Sequence, residues 1–380
     1  MIILETFLIA CITISIFYYI FSLYCTWSFF NKKTDTDNSY MPPVSILKPI
    51  NGIENGIYEN FISYCKLDYP AYQLIFGVRD SEDPAIDIVK KVMNEFPQKD
   101  IELVISNGSI GANPKISNLN NMFKKVKHGV IVTNDSDTKV EGDYLKRIVS
   151  PLSNKSTGLV TCVYRQNIIN HTTSIMESIS INQDFLPSVM IAQKVEGLSY
   201  AFGVTIATKR DILDEIGGFK EFSNYLAEDF HFGKKISEAG YKICLSDYIV
   251  DVIPGKRNFI DFFKLQLRWA KTIRTCRPIG YFFTLFCKYG IISSLAYLFV
   301  SGFSPLAVIL LTTFLGVRTT SAFIISLKYI KDRNLLSHLL FLPLTDILNF
   351  IIWCTSYSGN KITWRGGKFV LKKGGRMERV

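Results

Sequence analysis

Residues 6–30 form an unbroken run of 25 residues without one charged side chain, closed by Asn31-Lys32-Lys33. At about 1.5 Å of rise per residue, a helix of that length crosses a hydrocarbon core about 30 Å thick. A cleavable leader would have a shorter apolar core and small residues after it, so the segment is expected to be an anchor. Lys32 and Lys33 then put the adjoining domain on the cytoplasmic side. A second apolar tract covers residues 281–357. Spans are expected near 304–325 and 335–357, and a third near 282–300 carries Lys288. Arg318 and Asp346 inside this tract are costly in lipid and are expected to face protein or water. The basic tail (361–380) and the basic loop Lys328 to Arg333 both favour the cytoplasm. Two plain helices cannot satisfy both, so a re-entrant or interfacial segment is expected.

Between the apolar ends, residues 41–255 read as soluble α/β. Apolar strands are expected at 44–47, 73–78, 101–105, 129–133 and 158–163. Helical stretches are expected at 54–67, 84–96 and 117–127. Strands alternating with helices imply βαβ units and a mostly parallel sheet, whose ligands lie beyond the carboxyl ends of its strands. Residues 257–277 form a helix candidate of another kind. Phe259, Phe262, Phe263, Gln266, Trp269 and Ile273 share one face among interspersed Lys and Arg, as an amphipathic helix at a membrane surface does.

The net charge is +10. In a membrane protein this points to anionic lipid. Zinc-finger spacing and aromatic–basic RNA motifs are both lacking, which argues against nucleic acid. Eight cysteines lie far apart with no C-x-x-C, as expected of thiols in a reducing compartment.

Chemistry-bearing residues fall where strands should end. The run 129–134, apolar up to Thr133-Asn134, leads straight into Asp135-Ser136-Asp137. Strand periodicity points both acids to the same side, so they can share a divalent cation, Mg2+ or Mn2+, which in turn holds a diphosphate. A solvated turn is the plainer reading of the same residues. Asp83 comes after the second strand. It can accept hydrogen bonds from a uracil or ribose, or cap the next helix with Pro84 at its first turn. Lys115, in Asn113-Pro114-Lys115, can pair with phosphate, although alone it reads as a surface lysine after a turn. Glu228-Asp229 opens a helical segment that Gly240 ends. The pair either favours the helix dipole or supplies Asp229 as a general base. Arg268 can hold phosphate and Trp269 can shape an acceptor pocket, or both can anchor at the interface.

In order and spacing, these pieces resemble the ceramide glucosyltransferase family, a branch of the inverting GT-A glycosyltransferases that includes bacterial hopanoid-associated enzymes. The matching segments are P-V-S-I-L-K-P, L-D-Y-P, D-P-A-I-D, N-P-K-I-S-N-L, N-D-S-D, G-G-F, A-E-D-F, L-R-W and T-W-R-G-G, spread from about Pro42 to the tail. The resemblance implies a GT-A (Rossmann-like) fold carrying transmembrane helices at both ends. It divides the chain into an anchor (1–31), a glycosyltransferase domain (41–255), an interface helix (256–280), a membrane region (281–357) and a basic tail (358–380).

It also implies roles for the residues. Asp83 lies at the nucleotide, Asp135 and Asp137 at the metal and diphosphate, and Asp229 is the catalytic base. Arg268 and Trp269 end a Q-x-x-R-W or R-x-x-R-W signature whose first position is Leu265 here, with Lys264 and Gln266 as possible stand-ins. The implied reaction moves a hexose from a UDP-sugar to a lipid hydroxyl with inversion. Residues 177–198, expected to face the acceptor, match no motif. The rival readings are a processive polysaccharide synthase and a non-catalytic membrane protein that binds nucleotide sugars.

Overall fold

The computed structural model describes residues 1–32, 39–167, 171–332 and 335–380. Lys33 and Arg333, two of the basic residues expected to set orientation, lie outside the described residues. In chain order the elements begin with α1 (Ile2–Phe30), β1 (Val44–Pro49), α2 (Ile57–Cys65), β2 (Tyr72–Val78), α3 (Ala85–Glu95), β3 (Asp100–Ile105), α4 (Pro114–Phe123) and β4 (Val130–Thr133). Then come β5 (Thr138–Lys139), α5 (Tyr144–Val149), β6 (Thr157–Gln166), α6 (Thr172–Ile179), a π-helical turn (Ser180–Phe185) and α7 (Leu186–Val195). They lead into β7 (Ile206–Lys209), α8 (Arg210–Glu215), α9 (Glu228–Glu238) and β8 (Lys242–Val252). The last part holds α10 (Phe259–Cys276), α11 (Pro278–Lys288), α12 (Gly290–Val300), α13 (Pro305–Ile324), a second π turn (Ile325–Ile330), α14 (Leu335–Ser356), β9 (Lys361–Trp364), β10 (Gly367–Leu371) and β11 (Met377–Arg379).

The chain divides into two compact units. One comprises Lys33–Arg165, Glu196–Gly255 and Gly375–Val380; the other comprises Met1–Lys32, Gln166–Val195 and Lys256–Gly374.

The first unit is built on an eight-stranded sheet of order β3-β2-β1-β4-β7-β6-β8-β5. β1 pairs in parallel with β2 and β4, and β2 pairs in parallel with β3. β1 is buried along its whole length, as a near-continuous apolar run covered on both faces should be. Beyond β4 the sheet turns antiparallel: β7 pairs with both β4 and β6, and β5 pairs with β8. The five expected strands all form. The helix expected at 117–127 instead spans Pro114–Phe123. Its start is fixed by Asn113, whose side chain accepts from the Lys115 and Ile116 amides, with Pro114 in the first turn. The core under the sheet includes Ile46, Phe61, Phe76, Val89, Val132, Tyr144 and Val160.

The second unit is helical. α1, α12 and α13 contribute Ile12, Tyr19, Ile291, Tyr297 and Phe314 to one apolar cluster. Gly290 permits the close approach, since a Cβ there would lie 2.5 Å from both Ser15 Oγ and the Phe314 ring. Among the described residues three helical stretches are long and apolar enough to cross a membrane: Ile2–Phe30, Pro305–Ile330 and Leu339–Ser356. In place of a third straight span the chain has the helices α11 and α12, bent by 50° beside Lys288, as in a broken span or a re-entrant segment. Arg318 and Asp346 face protein, as their cost in lipid requires. Arg318 reaches Asp346 Oδ1 at 2.8 Å and Oδ2 at 3.0 Å, Asp184 Oδ1 at 2.9 Å and the Gln183 carbonyl at 3.1 Å.

Candidate active site at the carboxyl ends of the strands

β4 ends at Thr133, and Asn134 fixes the direction in which the chain leaves the sheet. Its amide donates to the Leu47 carbonyl at 3.1 Å, continuing the β1 ladder. Its side-chain amide donates to Tyr144 Oη and the Val204 carbonyl, each at 2.7 Å, and to Thr205 Oγ1 at 3.1 Å. The Asp135-Ser136-Asp137 loop therefore starts from a buried, firmly tied residue. It is held from behind as well. The Asp135 carbonyl accepts from Lys48 Nζ at 2.9 Å and Thr138 Oγ1 at 2.7 Å, and Ser136 Oγ donates to Glu54 Oε2 at 2.6 Å. This structure excludes a freely solvated turn. Lys48 is fully buried, with its ammonium 3.8 Å from the centre of the Tyr64 ring. Burial pulls it down to about 7 against the opposing charges of Asp137 and Asp135.

Lys115 is not a surface lysine. Its side chain is only 14% exposed, and Nζ lies 2.5 Å from Asp135 Oδ1 and 2.7 Å from Glu228 Oε1. Asn113 brings these partners together. Besides capping α4, its Nδ2 donates to the Tyr225 carbonyl at 2.8 Å and to Glu228 Oε2 at 3.3 Å. Burial opposes the Lys115 charge, but Asp135, Glu228 and Asp229 outweigh it and hold the ammonium above its ordinary value.

Asp229, second residue of α9, turns its Oδ2 to the Gly203 amide at 2.8 Å, while Oδ1 accepts from the Phe230 amide at 2.8 Å. Burial, and next the neighbouring Glu228, push its carboxyl up to about 7; Lys115 and the two amides act the other way. Gly203 marks where the three groups meet. A Cβ at that position would lie 3.1 Å from Lys115 Nζ, 3.2 Å from Asp135 Oδ2 and 3.4 Å from Asp229 Oδ2. Sequence reasoning passed over Gly203, because a glycine in Ala201-Phe202-Gly203 resembles any other until the acids around it are placed.

Asp137 is half-buried. Burial, Glu54 and Asp135 together push its carboxyl up to about 8, with Lys48 opposing. Such a surplus of carboxylates fits a divalent cation. Among the described residues no group of three or more His, Cys, Asp or Glu is placed to hold a metal ion. Two carboxylates leave the rest of the shell to phosphate and water, as Mg2+ accepts.

Asp83 does two jobs at the end of β2. Oδ1 accepts from the Ala85 amide at 2.9 Å, where α3 begins, and Oδ2 accepts from the Gly52 amide at 2.8 Å after β1. Asp83, Asp80, Ser81, Arg79, Asn51 and Asn107 line a cleft of about 380 Å³, within the range of small-molecule sites. β2 and β4 flank β1, so the cleft and the Asp135 loop lie about 10 Å apart along the same sheet edge.

Arg268 and Trp269 lie on α10 in the helical unit and are half-buried. Of the two stand-ins for the signature's first position, Lys264 is exposed and pairs with Asp261 at 3.9 Å. Gln266 is buried, and its Nε2 has no hydrogen-bond partner among the described residues.

A mixed sheet whose parallel strand ends converge acids and a lysine in this way, with membrane-length helices before and after it in the chain, has the GT-A fold. The same fold is found in a mannosyltransferase of Pyrobaculum calidifontis solved with GDP-Man and Mn2+. That structure superposes with a TM-score of 0.56 at 18% identity, covering 92% of this chain and 98% of that one. The sequence profile of glycosyl transferase family 21 matches residues 7–377, and the chain belongs to that family. Among curated relatives, ceramide glucosyltransferase 3 of Caenorhabditis elegans is 29% identical over 240 residues, covering 62% of this chain and 51% of the relative. Ceramide glucosyltransferase 1 of the same organism is 25% identical over 268 residues, covering 69% and 56%. The chain thus spans about half the length of these relatives.

Proposed function

We propose that this protein transfers a hexose from a UDP-sugar to the hydroxyl of a membrane lipid, ceramide-like or hopanoid-like, in a single inverting displacement. The observation that supports this most is the meeting of Asp135, Lys115 and Asp229 around Gly203. In this reading Asp83 and the cleft beside it receive the nucleoside. Asp135 and Asp137 hold Mg2+ or Mn2+, which when bound neutralises charge on the leaving diphosphate. Lys115 supplies a further fixed positive charge at the same place. Asp229 takes the proton of the lipid hydroxyl as its oxygen attacks the anomeric carbon, and the carbon–diphosphate bond breaks on the opposite face. An α-linked donor then gives a β-linked product.

Arg268 and Trp269 contribute a phosphate contact and an acceptor wall, with Gln266 in the role that Leu265 cannot fill. The names of the curated relatives favour glucose and ceramide. Lys32 at the end of α1 favours a cytoplasmic position for the sheet unit.

The test is to supply purified protein in detergent with radiolabelled UDP-sugars and a lipid extract. Label in a lipid carrying one sugar, of inverted anomeric configuration, is the expected result. Label in polymer would replace the proposal with a polysaccharide synthase. Label in neither, with every donor, would leave a binding protein.

A further inference from the structure

The positive charge of this chain is concentrated. Residues 256–277 hold seven basic side chains against one acidic, with Arg257 paired to Glu177 at 3.1 Å, and residues 358–374 hold five against none. Their combined surplus exceeds the +10 of the whole chain. The two segments are distant in sequence but joined in the helical unit. Lys271, buried on α10, donates through Nζ to the Lys361 carbonyl at 3.1 Å. Arg274 donates to Asn360 Oδ1 and lies 5.1 Å from the Tyr357 ring centre. Cys276 Sγ reaches the Gly374 carbonyl at 3.8 Å.

The hairpin so attached is two-faced. Ile362, Phe369 and Leu371 are buried, whereas Lys361, Arg365, Lys368, Lys372 and Lys373 are exposed. β9 and β10 pair antiparallel from Trp364↔Gly367, leaving Arg365 and Gly366 as a two-residue turn. Both have positive φ, 47° and 76°. Glycine accepts this at no cost, but an arginine rarely sits there. Arg365 holds its guanidinium 5.4 Å from the centre of the Trp364 ring. The turn thus presents a cation and an aromatic together, two residue types that mark bilayer interfaces.

Chain length fixes where the hairpin can be. β9 starts five residues after α14, one of the helices long enough to span, so it lies within about 18 Å of that helix end. On α10, Phe259, Ile260 and Ile273 are exposed among the basic residues. Apolar side chains amid Lys and Arg suit a helix lying in the headgroup layer.

We propose that α10 and the β9–β10 hairpin form one docking surface for anionic phospholipid headgroups of the surrounding bilayer. Charge complementarity carries the assignment: clusters of four to eight basic residues next to a span bind anionic lipid. The inference does not depend on which donor or acceptor the sheet unit uses.

The test titrates the full-length protein in detergent with phosphatidylglycerol or phosphatidylcholine and counts bound lipids by native mass spectrometry. Wild type is expected to prefer phosphatidylglycerol roughly tenfold, and added salt should erode that preference. Replacing Lys361, Arg365, Lys368, Lys372 and Lys373 by Gln should bring the two lipids to parity while leaving UDP binding unchanged. Unchanged preference in this variant overturns the proposal. So does lost UDP binding with the lipid preference intact, which would assign the surface to the nucleotide. Two smaller variants guard against a folding defect. Arg365→Gln with Lys368→Gln should lose part of the preference, and Lys361→Arg with Lys368→Arg and Lys373→Arg should keep it all. Equal loss in both also overturns it.

Discussion

Each unit of this protein buries charge, and the two do so differently. In the helical unit Arg318 is 2% exposed and reaches both oxygens of Asp346, one of Asp184 and the Gln183 carbonyl, with the Tyr19 ring centre 4.5 Å away. Asp184 is occupied further, by Asn349 Nδ2 at 2.9 Å on its other oxygen and by Lys288 Nζ at 3.4 Å on its carbonyl. Two acids meet two bases, and no carboxylate there calls for an added ion. In the sheet unit Asp135, Asp137, Asp229, Glu228 and Glu54 surround two bases, Lys115 and Lys48, among the described residues. Burial first, and these neighbouring acids next, raise the carboxyls of Asp229 and Asp137 to about 7 and about 8. A closed network leaves no charge without a partner, whereas the excess of carboxylates in the sheet unit is what the proposed cation and proton transfer would use.

This contrast can be broken in several ways. The largest effect is expected from Asp229→Asn, which removes the proton acceptor and keeps the shape. Turnover should fall by roughly 100-fold to 10,000-fold with UDP affinity retained, measured by transfer assay and calorimetry. Near-normal turnover would take the base assignment away.

In the helical unit Arg318→Met leaves the buried Asp346 carboxylate without its cation and should cost about 3–5 kcal/mol, seen as a lowered thermal midpoint. Adding Asp346→Leu and Asp184→Leu should recover most of that loss, because a well-packed apolar replacement of a closed network is close to neutral. Activity per folded molecule should hold in the triple variant. A large loss there would make the cluster functional and dissolve the distinction.

The pH profile sharpens the comparison. Asp229 accepts a proton only when ionised, and burial with Glu228 raises its carboxyl to about 7. The transfer rate should therefore decline as pH falls below about 7. Glu228→Gln removes a negative neighbour, so that limb should move to lower pH. An unmoved or oppositely moved limb contradicts the assignment.

The smallest effect is expected at Gly203. An added Cβ would sit within 3.1–3.4 Å of all three site groups, so Gly203→Ala should lower turnover by about tenfold with little change in thermal midpoint. Unchanged turnover would show that the three groups are not held to tight tolerances.

Much of this was legible in the sequence, for identifiable reasons. Apolar runs of four to six residues marked five strands, and an acid within a residue or two of the end of such a run must sit beyond a strand end whatever the tertiary detail. Lys115 was legible as a residue but not in its setting. Its burial depends on Asn113 tying α4 to Tyr225 and Glu228, a contact across more than 100 residues. Residues 177–198 had no readable motif. Residues 177–195 of that stretch lie in the end of α6, a π turn and α7 within the helical unit, and their polar Gln183 and Asp184 make sense against Arg318 and Asn349. The tail read as a charged stretch because its strands are short, and its alternation of Ile362, Phe369 and Leu371 with lysines is offset by a turn.

The most direct test of the unbalanced site monitors Mn2+ by electron paramagnetic resonance in the presence of UDP, for wild type, Asp135→Ala and Asp229→Asn. The account predicts one bound Mn2+ with phosphorus coupling in wild type and in Asp229→Asn, and loss of both in Asp135→Ala. Equal Mn2+ and phosphorus signals in Asp135→Ala would contradict it.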